Sequence, residues 1–172
     1  MNRRSGFTLI ELIVTLAIAA IVLTVGIPSF RELLRENRLA TQANEFLAAL
    51  ALTRSEALKR GVRVTLCKSA DGASCTANGG YEQGWVVFVD PNNNATVDTG
   101  EVILRVYGAL PGGFTLTGNT NVRSYVSYAA GGMSQLISGA FQAGTLTLCA
   151  APKARSITIN STGRARIAVA TC

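Results

Sequence analysis

Apolar residues run from Phe7 to Ile27 with Glu11 as the single charge, then thin to every third or fourth position, and from Gly61 onward alternate with polar ones. Each change of pattern predicts a different element. The first stretch, 21 residues long, makes a helix of about 31 Å, enough to span a bilayer. Leu34, Leu39 with Ala43, Phe46, Leu47, Leu50, Ala57 and Leu58 then predict that the helix continues from Ser29 to about Lys59 with one face meant for burial. Pro28 lacks a backbone donor and is expected to kink this spine, and Gly61 to close it. Beyond it, alternation predicts strands at Val62 to Cys67, Trp85 to Asp90, Val102 to Tyr107, Phe114 to Thr117, Val122 to Ala129, Thr145 to Cys149, Ser156 to Asn160 and Arg164 to Ala170. Eight strands suffice for two small antiparallel sheets laid on the helix stripe, an α+β fold.

Composition narrows the chemistry. The 172 residues contain no histidine, which removes the commonest general base and the commonest transition-metal ligand, and no motif places a nucleophile, so an enzyme is not expected. Cys67, Cys75, Cys149 and Cys172 form no C-x-x-C pair; an even count at wide spacing points to two disulfides in an oxidising compartment. Of the three possible pairings, Cys67 with Cys75 and Cys149 with Cys172 each close a local loop and are expected.

Two constellations are candidates for binding. In the loop Asp90 to Glu101, the residues Asp90, Asn92, Asn94, Asp98 and Glu101 fall at calcium-ligand spacing, but Ala95 stands where an EF-hand loop has glycine and the flanks are strands; weak calcium binding competes with a plain Asn-rich turn, and no other cofactor is expected. Charge is the second. The net charge is +6, and the 71 residues after Glu101 (102 to 172) contain no acid but six cations: Arg105, Arg123, Lys153, Arg155, Arg164 and Arg166. Ser161-Thr162-Gly163 reads as a hairpin turn, after which period-two spacing puts Arg164 and Arg166 on one exposed face about 7 Å apart. Such a pair suits phosphates, with Lys153 and Arg155 as supporting contacts. No aromatic residue interleaves with them, so nucleic acid would be bound through its backbone without sequence preference; a solvated face or a docking surface for another protein is the plainer reading.

Met1 to Gly6, with Arg3 and Arg4, precede the apolar run. The order Gly6-Phe7-Thr8-Leu9-Ile10-Glu11, apolar run, Pro28 resembles the class III signal of type IV prepilins and type II secretion pseudopilins. A cleaved secretory signal ending at Ala17-Ile18-Ala19 fits less well, because the apolar run continues to Ile27. The resemblance implies cleavage after Gly6 by a prepilin peptidase and N-methylation of Phe7, so that 1–6 is a leader, 7–27 a retained transmembrane helix, 28–60 its amphipathic continuation and 61–172 a globular head. It also implies an assembly role for Glu11, pairing with the terminal amine of a neighbouring subunit; a carboxylate in hydrocarbon needs such a partner. The cations Arg31, Arg35 and Arg38 after the span nearly balance those before it, so the head is placed outside the cytoplasm on the cysteines and the leader.

The helix segment EFLAALALTRSEALKRGVRVTLC, the strand GWVVFVD and the closing SITINSTGRARI resemble the FimT and GspH minor pilins and pseudopilins. In FimT-type minor pilins of competent bacteria the Gly-Arg-x-Arg element, here Gly163 to Arg166, is associated with DNA binding. The expected function is therefore that of a minor pilin of a type IV pilus, a structural and assembly component that binds double-stranded DNA for uptake in natural transformation. The alternative is a GspH-type minor pseudopilin of a type II secretion system. The implied partners are other pilins, prepilin peptidase, DNA and, before assembly, inner-membrane lipid. The implied location is a single pass in the bacterial inner membrane with a periplasmic head, then a pilus or pseudopilus at the cell surface.

Overall fold

The structure is a computed structural model that describes residue 6 and residues 8–172; the expected terminus Phe7 and most of the leader lie outside the described residues. The chain divides into two compact units, one ending at Asn37 and one running from Arg38 to Cys172. The boundary falls inside the helix α1, Leu9–Arg60.

Helix α1 starts where Thr8 Oγ1 accepts the Glu11 N–H at 3.3 Å, a side-chain cap. It carries Glu11 in its first turn and Lys59 and Arg60 in its last, as the helix dipole favours. Gly61 closes it at φ +66°, its N–H on the Ala57 carbonyl at 3.0 Å. Pro28 lies inside α1 without ending it.

In the N-terminal unit the apolar side chains, among them Leu9, Ile10, Leu12, Ile13, Leu16, Ile21 and Ile27, are exposed. Mean hydropathy reaches 2.6 over 18 residues, long and apolar enough for the helix to cross a membrane. Two of its hydroxyls are turned inward: Thr15 donates to the Leu12 carbonyl at 2.8 Å and Thr24 to that of Ile21 at 2.9 Å.

In the C-terminal unit the same helix is buried along one line: Leu39, Ala43, Phe46, Leu50, Thr53 and Ala57. Thr53 fits among apolar groups because its hydroxyl donates to the Ala49 carbonyl at 2.6 Å. Leu34 and Leu58, expected in the stripe, are exposed instead. The seam from Leu50 steps to Thr53 and Ala57, and Leu58, one residue on, is rotated about 100° off it.

Eight strands follow: β1 Val64–Lys68, β2 Trp85–Val89, β3 Ile103–Tyr107, β4 Thr115–Gly118, β5 Tyr125–Tyr128, β6 Gly144–Ala150, β7 Lys153–Ile159 and β8 Ala165–Thr171. They form two four-stranded antiparallel sheets in the orders β3-β2-β1-β5 and β4-β6-β7-β8. The expected strand at Val122 is shorter, since Thr120–Val122 make a 3-10 turn ahead of β5. The expected strand at Ser156 is longer, since β7 begins at Lys153.

Both sheets present a face to the helix. Register puts Leu66, Val87 and Val126 on one side of the first sheet, and they share a core with Leu116, Leu146, Leu148, Ile157 and Ile159 of the second. Phe46 sits at the centre, edge-on to Tyr81 (5.4 Å) and Trp85 (5.1 Å), with Trp85 stacked on Tyr107. The first sheet also buries its other face, where Cys67, Val86 and Phe88 pack with Val97, Ile103 and Tyr125, which explains the unbroken apolar run WVVFV of β2. Cys67 is bonded to Cys75 and Cys149 to Cys172.

Phe46→Ala removes a fully buried ring packed on Tyr81 and Trp85 and should cost about 3–5 kcal/mol in denaturant unfolding of the Arg38–Cys172 unit. Ser55→Ala, on the exposed side of α1, should change stability by less than about 0.5 kcal/mol.

Candidate functional site

The β7–β8 hairpin turns through Asn160 to Gly163. The Asn160 N–H donates to the Arg164 carbonyl (3.1 Å) and the Gly163 N–H to the Asn160 carbonyl (2.9 Å), while Asn160 Oδ1 accepts from the Arg164 N–H (2.9 Å) and Thr162 Oγ1 (2.8 Å). Gly163 is required twice over. Its φ is +78°, and a Cβ there would lie 2.6 Å from the Gly132 carbonyl oxygen and 2.9 Å from the Tyr128 ring. Ser134 Oγ completes the seat at 3.1 Å from the Asn160 carbonyl. At the far end of β8, Cys172 is tied to Cys149, closing a loop with 23 positions of separation, worth roughly 3 kcal/mol in the chain-entropy account.

Held at both ends, the hairpin leaves Arg164 and Arg166 exposed. Arg166 pairs with Thr158, on the face of the second sheet opposite Ile157 and Ile167. That register corrects one expectation. Arg155 pairs with Val169, and Lys153 with Thr171, in phase with Ile157 and Ile167, so Lys153 and Arg155 belong to the other face and do not join the Arg166 surface. Sequence alone missed this because β7 was expected to begin at Ser156.

Arg164 and Arg166 border a groove of about 520 Å³ whose other lining residues include Leu47, Leu50, Arg54 and Leu58 of α1 and Tyr128 of β5. No carboxylate lines it. Tyr128 is buried, which pushes its hydroxyl up to about 12, while the positive charge of Arg54 pulls the other way.

The Asn-rich loop spends its oxygens on its own shape. Buried Asp90 accepts from Thr65 Oγ1 (2.8 Å) and from the N–H groups of Asn94 and Ala95 (both 3.1 Å). Asp98 accepts from the amides of Asn92 (2.7 Å) and Asn94 (2.6 Å), which lowers its pKa, and Glu101 accepts the Asp98 N–H (3.0 Å). Glu101 itself is pushed up, by burial first. Ala95 adopts φ +57° at the position where a calcium loop has glycine. Among the described residues no three acids, cysteines or histidines are grouped to hold a metal ion.

Two cations, Arg63 and Lys68, are internal. Arg63 donates to Asn93 Oδ1 (2.7 Å), Ser127 Oγ (2.7 Å) and the Gln135 carbonyl (2.9 Å), joining the Asn-rich loop to the first sheet. Lys68 donates to the carbonyls of Ala77 and Gly79, both at 2.8 Å, and its pKa is lowered, chiefly by burial. Neither announces itself in sequence, because their acceptors are backbone and amide oxygens far along the chain.

An apolar N-terminal helix that continues into a head of two antiparallel sheets defines a type IV pilin-like subunit. Residues 42–163 match the family described as type II transport protein GspH, and residues 1–27 match the prokaryotic N-terminal methylation motif. The chain belongs to the GspH family and is a minor pilin or pseudopilin of the FimT/GspH kind. It is 38% identical over 103 residues to the pilin-like protein PilA1 of Thermus thermophilus; the match takes in 59% of this chain and 57% of that protein, so it spans little more than half of its relative. Its fold is similar to that of the type IV minor pilin FimU of Pseudomonas aeruginosa (TM-score 0.57, 19% identity, 77% of this chain and 90% of that one). It is also similar to that of the minor pseudopilin EpsH of the Vibrio cholerae type 2 secretion system (TM-score 0.52, 12% identity, 77% and 97%).

Gly163→Ala should destabilise the chain by about 1–3 kcal/mol through backbone strain alone, with the contacts to Gly132 and Tyr128 adding to it. Gly139→Ala, at φ +85° with nothing within 4 Å of a new Cβ, supplies the strain-only reference, and chemical unfolding of both variants should find Gly163→Ala the worse.

Proposed function

We propose that this chain is a minor pilin of a type IV pilus that captures double-stranded DNA for uptake in natural transformation. The phosphate backbone is engaged by Arg164 and Arg166, and no chemical step is catalysed. The observation that carries the reading is the arginine pair itself, exposed on a hairpin fixed by Gly163 and by the Cys149–Cys172 bond, beside a groove without carboxylates. Guanidinium groups so placed bind phosphate oxygens in any sequence context. In the same reading prepilin peptidase removes residues 1–6, Phe7 is methylated, Glu11 pairs with the amine of a neighbour, and the head stands in the periplasm before the subunit enters the filament.

A second reading is favoured by the description of the matching family and by the likeness to EpsH. On that reading the subunit belongs to a type II secretion pseudopilus and its arginines meet acidic groups of a neighbouring protein.

Binding of mixed-sequence duplexes by the full chain in detergent micelles, followed by fluorescence anisotropy at 50 to 200 mM salt, separates the two. Each phosphate contact contributes about −0.9 to the log-log salt slope, so Arg164→Gln with Arg166→Gln should flatten the slope by about 1.8 and weaken all sequences alike. A wild-type slope near zero favours the secretion reading.

A further inference from the structure

We infer that Arg54, on the helix side of the groove, is a third phosphate-binding residue, so that a DNA strand lies between α1 and the β8 hairpin instead of resting on the hairpin alone. The inference rests on the DNA reading above and adds to it the residue that orients the strand.

Arg54 is half-buried and lines the groove together with Arg164 and Arg166. Its Nε is shut off from solvent and has no hydrogen-bond acceptor. Along a helix only the positions three and four away can reach a side chain, and for Arg54 these are Leu50, Ala51, Ala57 and Leu58, none with an acceptor. The nearest acid in sequence, Glu56, is engaged by Arg60 at 2.6 Å and lies 3.9 Å from Lys59. Across the groove Gly163 to Arg166 bring two further cations and no carboxylate.

A charged donor left unpaired and desolvated is costly, more so than a neutral one. An anion entering the groove would remove that cost, and Arg164 and Arg166 stand at the groove's opposite border, within reach of the next phosphates along a strand. A guanidinium also offers the paired N–H geometry that a phosphodiester accepts with two oxygens. The floor between the walls, Leu47, Leu50, Ala51, Leu58 and Tyr128, is apolar and offers little to a hydrated ion, but suits the carbon face of a sugar linking successive phosphates.

The test uses the full chain in detergent micelles and the same duplexes. Arg54→Gln should flatten the salt slope by about 0.9, so that the ratio of wild-type to variant affinity shrinks about 3.5-fold between 50 and 200 mM salt. Arg54→Lys, which keeps the charge, should restore the slope. Should Arg54→Gln lose its fold, Arg54→Met keeps the apolar stem and is expected to give the same flattened slope. Wild-type slope and affinity in a folded Arg54→Gln or Arg54→Met chain, with binding still lost in Arg164→Gln/Arg166→Gln, overturns the role of Arg54 and leaves the DNA reading standing. A wild-type chain with no salt-dependent binding overturns both. A folded Arg54→Gln chain that binds DNA normally but enters filaments poorly also overturns the inference, and assigns Arg54 to an acidic group of a neighbouring subunit.

Discussion

The head is organised by contact between one line of the helix and two sheets at once. Leu39, Ala43, Phe46, Leu50, Thr53 and Ala57 are buried, and the core that contains their apolar members draws residues from both sheets. Both sheets bury their inner faces in the one core that this line of the helix enters. Phe46 touches aromatic residues of the 3-10 turn and of β2, so a single ring couples segments far apart in sequence. The position of the arginine hairpin follows from this packing: Ala165 and Ile167 lean on the core, and strand alternation turns Arg164 and Arg166 the other way.

The same helix obeys a second constraint. Among the described residues through Ile27 its large apolar side chains are distributed around the axis and exposed, as lipid or the interior of a filament requires, and the Thr15 and Thr24 hydroxyls are folded back onto backbone carbonyls. From Leu39 only one line remains apolar enough for burial. A pattern that is uniform in one half and one-sided in the other suits a helix that is long and apolar enough to cross a membrane in its first half and packs on the sheets in its second.

Much of this was legible because it rests on local rules. The helix, its Gly61 stop, all eight strands and the two local disulfides follow from periodicity, turn residues and loop closure. What escaped was set by long-range geometry. Where β7 begins decides which face Lys153 and Arg155 occupy, and three residues at a strand end cannot be fixed from pattern alone. Arg63 and Lys68 carry no signal in the sequence, because the carbonyl and amide oxygens that hold them inside come from distant loops. In the Asn-rich loop the contacts that shape it were equally illegible: Asp98 accepts from the Asn92 and Asn94 side-chain amides and Asp90 from the Thr65 hydroxyl. Arg54 did carry a legible signal, the apolar residues three and four positions to either side; its meaning emerged once the hairpin was seen across the groove.

The central claim is that one helix serves both surroundings and is kept whole in the mature subunit. Mass spectrometry of the chain isolated from membranes tests it directly. The account predicts a methylated Phe7 as the first residue, with Glu11 and the entire apolar run retained. A terminus near Ala20, with the apolar run removed, would contradict it.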